Sequence, residues 1–282
     1  MAISLGPLPR PTDDADLTTR LKDALKASAG STTTGLDGAR VTATLSDPDI
    51  SLLDVDLSGV TIPALDLRGS GRGPLVSGVD ITPDAGTGTP GALRELKVGA
   101  TPLDVAGAPV TLSAAFADLP ITWSESGGRC LLDIDEPSPG HPVVGTAHLE
   151  VPVTGLEVAA KQALTDAARD MATIKSVDLT VTSPRPNTLA VNVAAQAKKS
   201  LFSAVIMATA TVTIDRSMVA TLSGVTLNSP NAVFAAALRL MSAKVAALEG
   251  RRIELNTLVP GLHATDLQVT GGQTVTVDAT FG

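Results

Sequence analysis

The stretch Gly86-Thr87-Gly88-Thr89-Pro90-Gly91 spells GxGxxG, the pattern whose glycines let backbone N–H groups approach a pyrophosphate at the start of a helix. It follows a predicted strand at 79–81 and precedes a segment of helical character at 93–97, with Asp104 about where a ribose-binding acid would fall. Pro83 and Pro90 interrupt the strand-to-helix turn and no βαβ series follows, so the stretch reads as a surface loop rather than a dinucleotide site. Asp54 with Asp56, and Asp133 with Asp135, have the spacing of paired oxygen ligands. Neither pair has the glycine and distal Glu of a calcium loop, and alternate strand positions read as a solvated face. His141, His148 and His263 are scattered without zinc-ligand spacing, and no GxSxG elbow occurs. The lone Cys130 sits beside Leu131 and Leu132 and reads as a core thiol, which excludes an internal disulfide framework. No catalytic residue, metal ligand or cofactor site is assigned.

What the chain has in quantity is apolar surface. Of its 282 residues 44% are hydrophobic and the mean hydropathy is +0.26, yet aromatics are 2% and tyrosine is absent. The interior must therefore be aliphatic. No run approaches the roughly 18 apolar residues of a membrane-spanning helix. Twenty-one bases against 29 acids give a net charge of −8, which argues against nucleic acid as a partner. Pro7, Pro9 and Pro11 stand where an export signal would be unbroken and apolar. As written the chain is expected in the cytoplasm, or in the cell envelope if it begins at a processed end.

Three segments carry helical periodicity. At 13–27, Leu17, Leu21 and Leu25 recur every four residues, Thr12 offers an N-cap, and Gly30 follows the end. A second starts at Thr154, with Glu157 completing a capping box, and runs through Leu164 to Met171 on an Ala-rich face. The third, 232–248, has Ser229 as N-cap, Pro230 at the first turn, the stripe Phe234, Leu238, Met241, Val245 and Leu248, and Gly250 after it. Between them the period is two, as in Leu53, Val55 and Leu57, in Leu189, Val191 and Val193, and along 202–214. Gly271-Gly272 between Leu267, Val269 and Val275, Val277 has the spacing of a hairpin. Several strands with no helix between them predict an α+β chain with antiparallel sheet. Three segments follow: a Pro-rich tail at 1–12, a helix-plus-strands half at 13–140, and a second half at 146–282, divided at the Pro- and Gly-rich 137–145. Leu57-Ser58-Gly59-Val60-Thr61-Ile62 returns as Leu222-Ser223-Gly224-Val225-Thr226-Leu227, a weak internal repeat.

From Thr154 onward the order of elements resembles the tubular lipid-binding (TULIP) superfamily, and more closely the actinobacterial LmeA-type phospholipid-binding proteins. The resemblance rests on the strand pair 197–214, the strand 218–227, the helix 232–248, Ile253-Glu254-Leu255 leading to Val259-Pro260-Gly261-Leu262, and the closing Asp266-Leu267-Gln268-Val269-Thr270-Gly271-Gly272. It implies a long, strongly curved antiparallel sheet wrapped around long amphipathic helices, an apolar groove for acyl chains, and no catalytic residues. The expected lining is Phe202, Ile206, Val212, Ile214, Phe234, Leu238, Met241, Val245, Leu248, Leu267 and Val269. Lys198 and Lys199, at a predicted hairpin tip beside Leu201 and Phe202, are expected to touch an anionic membrane. The function expected is non-enzymatic binding, with transfer, of a phospholipid or other fatty-acyl amphiphile. The rivals are a structural or interaction module with a filled core, and an enzyme acting on a lipid.

Overall fold

The computed structural model describes residues 2–29, 32–63, 88–135, 142–167, 172–199, 202–231, 246–257 and 263–282. Strand accounts for 63% of it and helix for 16%. The elements in chain order are β1 (Ala2–Pro7), α1 (Asp14–Ser28), β2 (Arg40–Ser46), β3 (Asp49–Asp56), β4 (Thr61–Ile62), β5 (Thr89–Val105), β6 (Ala108–Ser126), β7 (Arg129–Ile134), β8 (Val144–Pro152) and α2 (Val153–Ala167). They continue with β9 (Thr173–Arg185), β10 (Thr188–Lys199), β11 (Phe202–Ile214), β12 (Val219–Asn228), β13 (Arg252–Glu254), β14 (Ala264–Thr270) and β15 (Thr274–Phe281). A ten-stranded sheet runs β14-β15-β8-β6-β5-β3-β2, with β4 beside β5, and β7 joining β1 to β6. A five-stranded sheet runs β13-β12-β11-β10-β9. All pairings are antiparallel except β3 and β4 on β5.

Helix α1 closes one end of the large sheet. Asp13 caps it, its carboxylate accepting from the Asp16 N–H at 2.8 Å, and Leu17 and Leu21 are buried among β1, β2, β3 and β5 to β7. Asp14 accepts the Leu45 N–H of β2 at 2.7 Å, and Arg20 donates to the Pro7 carbonyl at 2.6 Å, so both flanks of the helix are tied to strands. The Arg10 guanidinium lies 4.0 Å above the Trp123 ring and pairs with Asp47, while the Trp123 indole N–H donates to the Pro48 carbonyl at 2.7 Å. Strands β5 and β6 are 17 and 19 residues long and turn through Ala106 and Gly107. Both turn residues have positive φ, 55° and 83°, the geometry that matches the twist of a two-residue hairpin.

The two sheets are stitched together at two places. Helix α2 lies on β9 and reaches β6 and β8; its Glu157 accepts the Leu179 N–H of edge strand β9 at 2.9 Å. On the other side Asn187, at the β9–β10 turn, donates to the Leu267 carbonyl at 2.7 Å and accepts the Val269 N–H at 3.0 Å, both on edge strand β14. The Gly271 N–H donates to Ser183 Oγ at 2.6 Å, and a Cβ on Gly271 would sit 2.9 Å from the Val181 side chain. A side chain there would have to displace Val181 and Leu189 for the hairpin tip to seat.

Several expectations are corrected. The fold is not one curved sheet wrapped around long amphipathic helices: two sheets carry the chain, and the described α-helices are two, each of 15 residues, packed on the sheets. The reason is pairing. Element order leaves partners open, and β14–β15 joins the large sheet through β8 instead of the strands that precede it in sequence. The same pairing draws the large sheet from both sides of residue 140. Within the supposed tail, Ala2–Pro7 is a strand paired with β7. Gly91 belongs to neither a loop nor a nucleotide turn, and 93–97 is not helical: both lie in β5, where a Cβ on Gly91 would come 2.5 Å from the Pro48 carbonyl. Glu157 caps a neighbouring strand instead of closing a capping box. The helix predicted at 232–248 lies outside the described residues except for its last three positions.

Candidate functional site

In the large sheet, alternation puts every second side chain on one face, and the registers place these side chains in rows that cross strands. One row runs Val55, Val98, Ala114, Ala147, Ala279 and Leu267 across β3, β5, β6, β8, β15 and β14. On one side of it stands Leu53, Leu96, Phe116, Gly145, Phe281 and Ala264; on the other, Ala100, Leu112, Leu149, Val277 and Val269. No charged or polar side chain interrupts the three rows. The opposite face of the same strands carries Asp54, Lys97, Ser113, Thr146, His148, Glu150 and Asp278.

Size is graded across these rows. Ala114, Ala147 and Ala279 form a strip of small side chains, flanked roughly 7 Å to either side by the larger Phe116, Phe281, Leu112, Leu149 and Val277. Val98 and Leu267 close its ends, four strand spacings or roughly 19 Å apart. The result is a shallow aliphatic trough whose three alanines are only half-buried. The Phe116 and Phe281 rings, with centroids 5.5 Å apart, face each other across Gly145, where a Cβ would come 2.5 Å from the Ala115 carbonyl. Glycine here lets the two rings meet over the intervening strand.

The apolar face of the small sheet continues this surface. Leu179, Val193, Ala208 and Leu227 share a row, as do Val181, Val191 and Ala210. Leu189 and Ile214 of the small sheet pack in one cluster with Leu267, Val269, Val277 and Ala279 of the large one, so the two linings meet at the Asn187 seam.

Against the expected lining, Ile206 packs in the cluster beneath α2, Val212 is half-buried on the inner face, and Ile214 is in the seam. Leu267 and Val269 are buried, so they are seam core instead of open lining. Leu248 is 39% exposed in a turn and does not join the lining. Phe234, Leu238, Met241 and Val245 lie outside the described residues, as does the side chain of Phe202, although Phe202 is the first residue of β11. Lys198 is exposed at the end of β10, and Lys199 pairs in register with Phe202; the Lys199 side chain lies outside the described residues. Apart from Leu267 and Val269, the residues of the large-sheet trough are ones that sequence reasoning missed. Their signal, alternation in Leu112-Ala114-Phe116 and Val277-Ala279-Phe281, is present, but only pairing assembles it.

The outer face of the large sheet carries a polar cluster around His148. His148 Nδ1 is 2.6 Å from Asp278 and Nε2 is 3.1 Å from Glu150; these partners, Asp278 first, raise the imidazole above its ordinary pKa. The two carboxylates sit on opposite edges of the ring and share no common point for a cation. Among the described residues no group of three or more His, Cys, Asp or Glu could hold a metal, and no helix is long and apolar enough to cross a membrane. Burial raises the Cys130 thiol pKa and keeps it out of reach of solvent. No family model matches the chain, and no curated protein or solved structure matches it.

Proposed function

We propose that the chain binds, without catalysis, the acyl portion of a phospholipid or similar amphiphile along the alanine strip of the large sheet. The observation that carries this is the trough itself: three uninterrupted apolar rows, small in the middle and large at the flanks, with the small strip half-buried. Its roughly 19 Å length exceeds the about 15 Å spanned by the chains of one bilayer leaflet. Binding then draws on methylene burial, about 0.8 kcal/mol for each CH₂.

The test is uptake of a fluorescent acyl lipid from solution, with native mass spectrometry of the purified protein. Affinity rises with tail length: two added methylenes, about 1.6 kcal/mol, tighten the Kd about fifteenfold until the trough is full. Ala147→Leu or Ala279→Leu obstructs the strip and lowers uptake at least tenfold, whereas Thr146→Leu, one residue away on the outer face, leaves it unchanged. Urea unfolding of each variant separates obstruction from misfolding. A protein that is empty as isolated and takes up no lipid fits the filled interaction module instead.

A further inference from the structure

The β9–β10–β11 end of the small sheet carries an exposed surface of a different kind. On the outer face, Val205 is 37% and Met207 is 43% exposed, two residues apart on β11. In register, Gln196 stands opposite Val205, Ala194 opposite Met207, and Lys198 opposite Ser203. Thr173 pairs with Lys198 on the next strand, and a register shift follows between Ile174 and Ser176. Lys175 falls in that shift and is exposed, as is Lys198. Among the described residues the nearest acid on this face is Asp178, opposite Ala194 and two strands from Met207. An aliphatic pair beside two exposed lysines that pair with no acid among the described residues contrasts with a chain of net charge −8.

We propose that this end of the small sheet docks on an anionic phospholipid bilayer, Val205 and Met207 entering the headgroup boundary and Lys175 and Lys198 facing the lipid phosphates. The partner follows from charge complementarity combined with exposed aliphatics. A soluble anion would satisfy the lysines and leave the aliphatics in water, whereas a bilayer receives both. It rests on the lipid-binding reading above, for which it supplies the membrane from which lipid is taken. With one short apolar pair and two charges the attachment is weak and reversible.

The test uses the full chain with phosphatidylcholine vesicles, with and without phosphatidylglycerol, in co-sedimentation. Binding to anionic vesicles exceeds binding to neutral ones about tenfold and falls as salt is raised. Each lysine replaced by alanine weakens it about fivefold, and Lys175→Glu with Lys198→Glu abolishes it. Val205→Ser with Met207→Ser weakens it as well. Trp123 is buried, so a Met207→Trp variant reports the interface directly by a blue shift in emission on vesicle addition. Uptake of a fluorescent lipid from solution, without vesicles, stays unchanged in all these variants. Vesicle binding that is equal on neutral lipid, or untouched by the lysine and aliphatic changes, overturns the docking surface. Loss of uptake in wild type, with vesicle binding still sensitive to these residues, overturns the carrier reading and leaves the docking surface standing.

Discussion

Asn187 lends itself to a quantitative test because one side chain bridges the two sheets with two hydrogen bonds. Its amide donates to the Leu267 carbonyl at 2.7 Å and accepts the Val269 N–H at 3.0 Å, and its own φ is 52°. Asn187→Ala removes both hydrogen bonds, about 1–3 kcal/mol together. It also places a Cβ-bearing residue without asparagine's local hydrogen bonding in the left-handed region, roughly 1 kcal/mol more. The total of about 2–4 kcal/mol, divided by a urea dependence near 3 kcal/mol per molar, lowers the unfolding midpoint by about 1 M. Asn187→Gly loses the hydrogen bonds but not the backbone freedom, and it falls less than the alanine variant by about 1 kcal/mol. Amide exchange at Val269 accelerates in both. An unchanged midpoint with unchanged Val269 protection refutes the seam, and identical alanine and glycine variants refute the backbone component.

Gly145→Ala forces a Cβ to within 2.5 Å of the Ala115 carbonyl and destabilises by about 1–3 kcal/mol, read by urea unfolding; a neutral variant shows that β6 and β8 can part there. For His148 the sign follows from the raised folded pKa. The stabilisation from its carboxylate partners is fully present below the ordinary value near 6.5 and is lost as pH rises through the higher folded value. The midpoint difference between wild type and His148→Gln is therefore largest in acid and closes above that value; a gap that widens toward alkaline pH contradicts the placement of His148 between Asp278 and Glu150.

Local structure was legible in the sequence where a segment's own side chains decide it. Leu17 and Leu21 of the α1 stripe are buried and Leu25 half-buried, as the spacing requires, with the cap moved by one residue to Asp13. Strand β11 spans 202–214, and Gly271-Gly272 lie in the turn between β14 and β15. What failed depends on partners. Gly91 is a glycine because of the Pro48 carbonyl, a residue far away in sequence, so local pattern offered a phosphate motif or a loop and missed a strand. Ala106-Gly107 lacks the usual Asn-Gly signature, which hid the turn of the longest hairpin. The likeness in element order from Thr154 onward contains no statement of which strand lies beside which, and the pairing of β15 with β8 cannot be read from either segment. The trough inherits that limit: its strip of Ala114, Ala147 and Ala279 exists only once β6, β8 and β15 are neighbours.

That adjacency also sets a schedule for biosynthesis. Strand β8 is complete at Pro152, but the strand that covers its second edge begins only at Thr274. At ~5–20 residues per second a ribosome needs roughly 6–24 s to bridge that interval. Throughout it the nascent chain presents β8 as an open edge with an apolar side, and the small sheet is translated entirely within the delay. The β14–β15 hairpin is therefore the piece that ends the vulnerable period, and a chain stalled short of Thr274 is the form that invites chaperones and self-association.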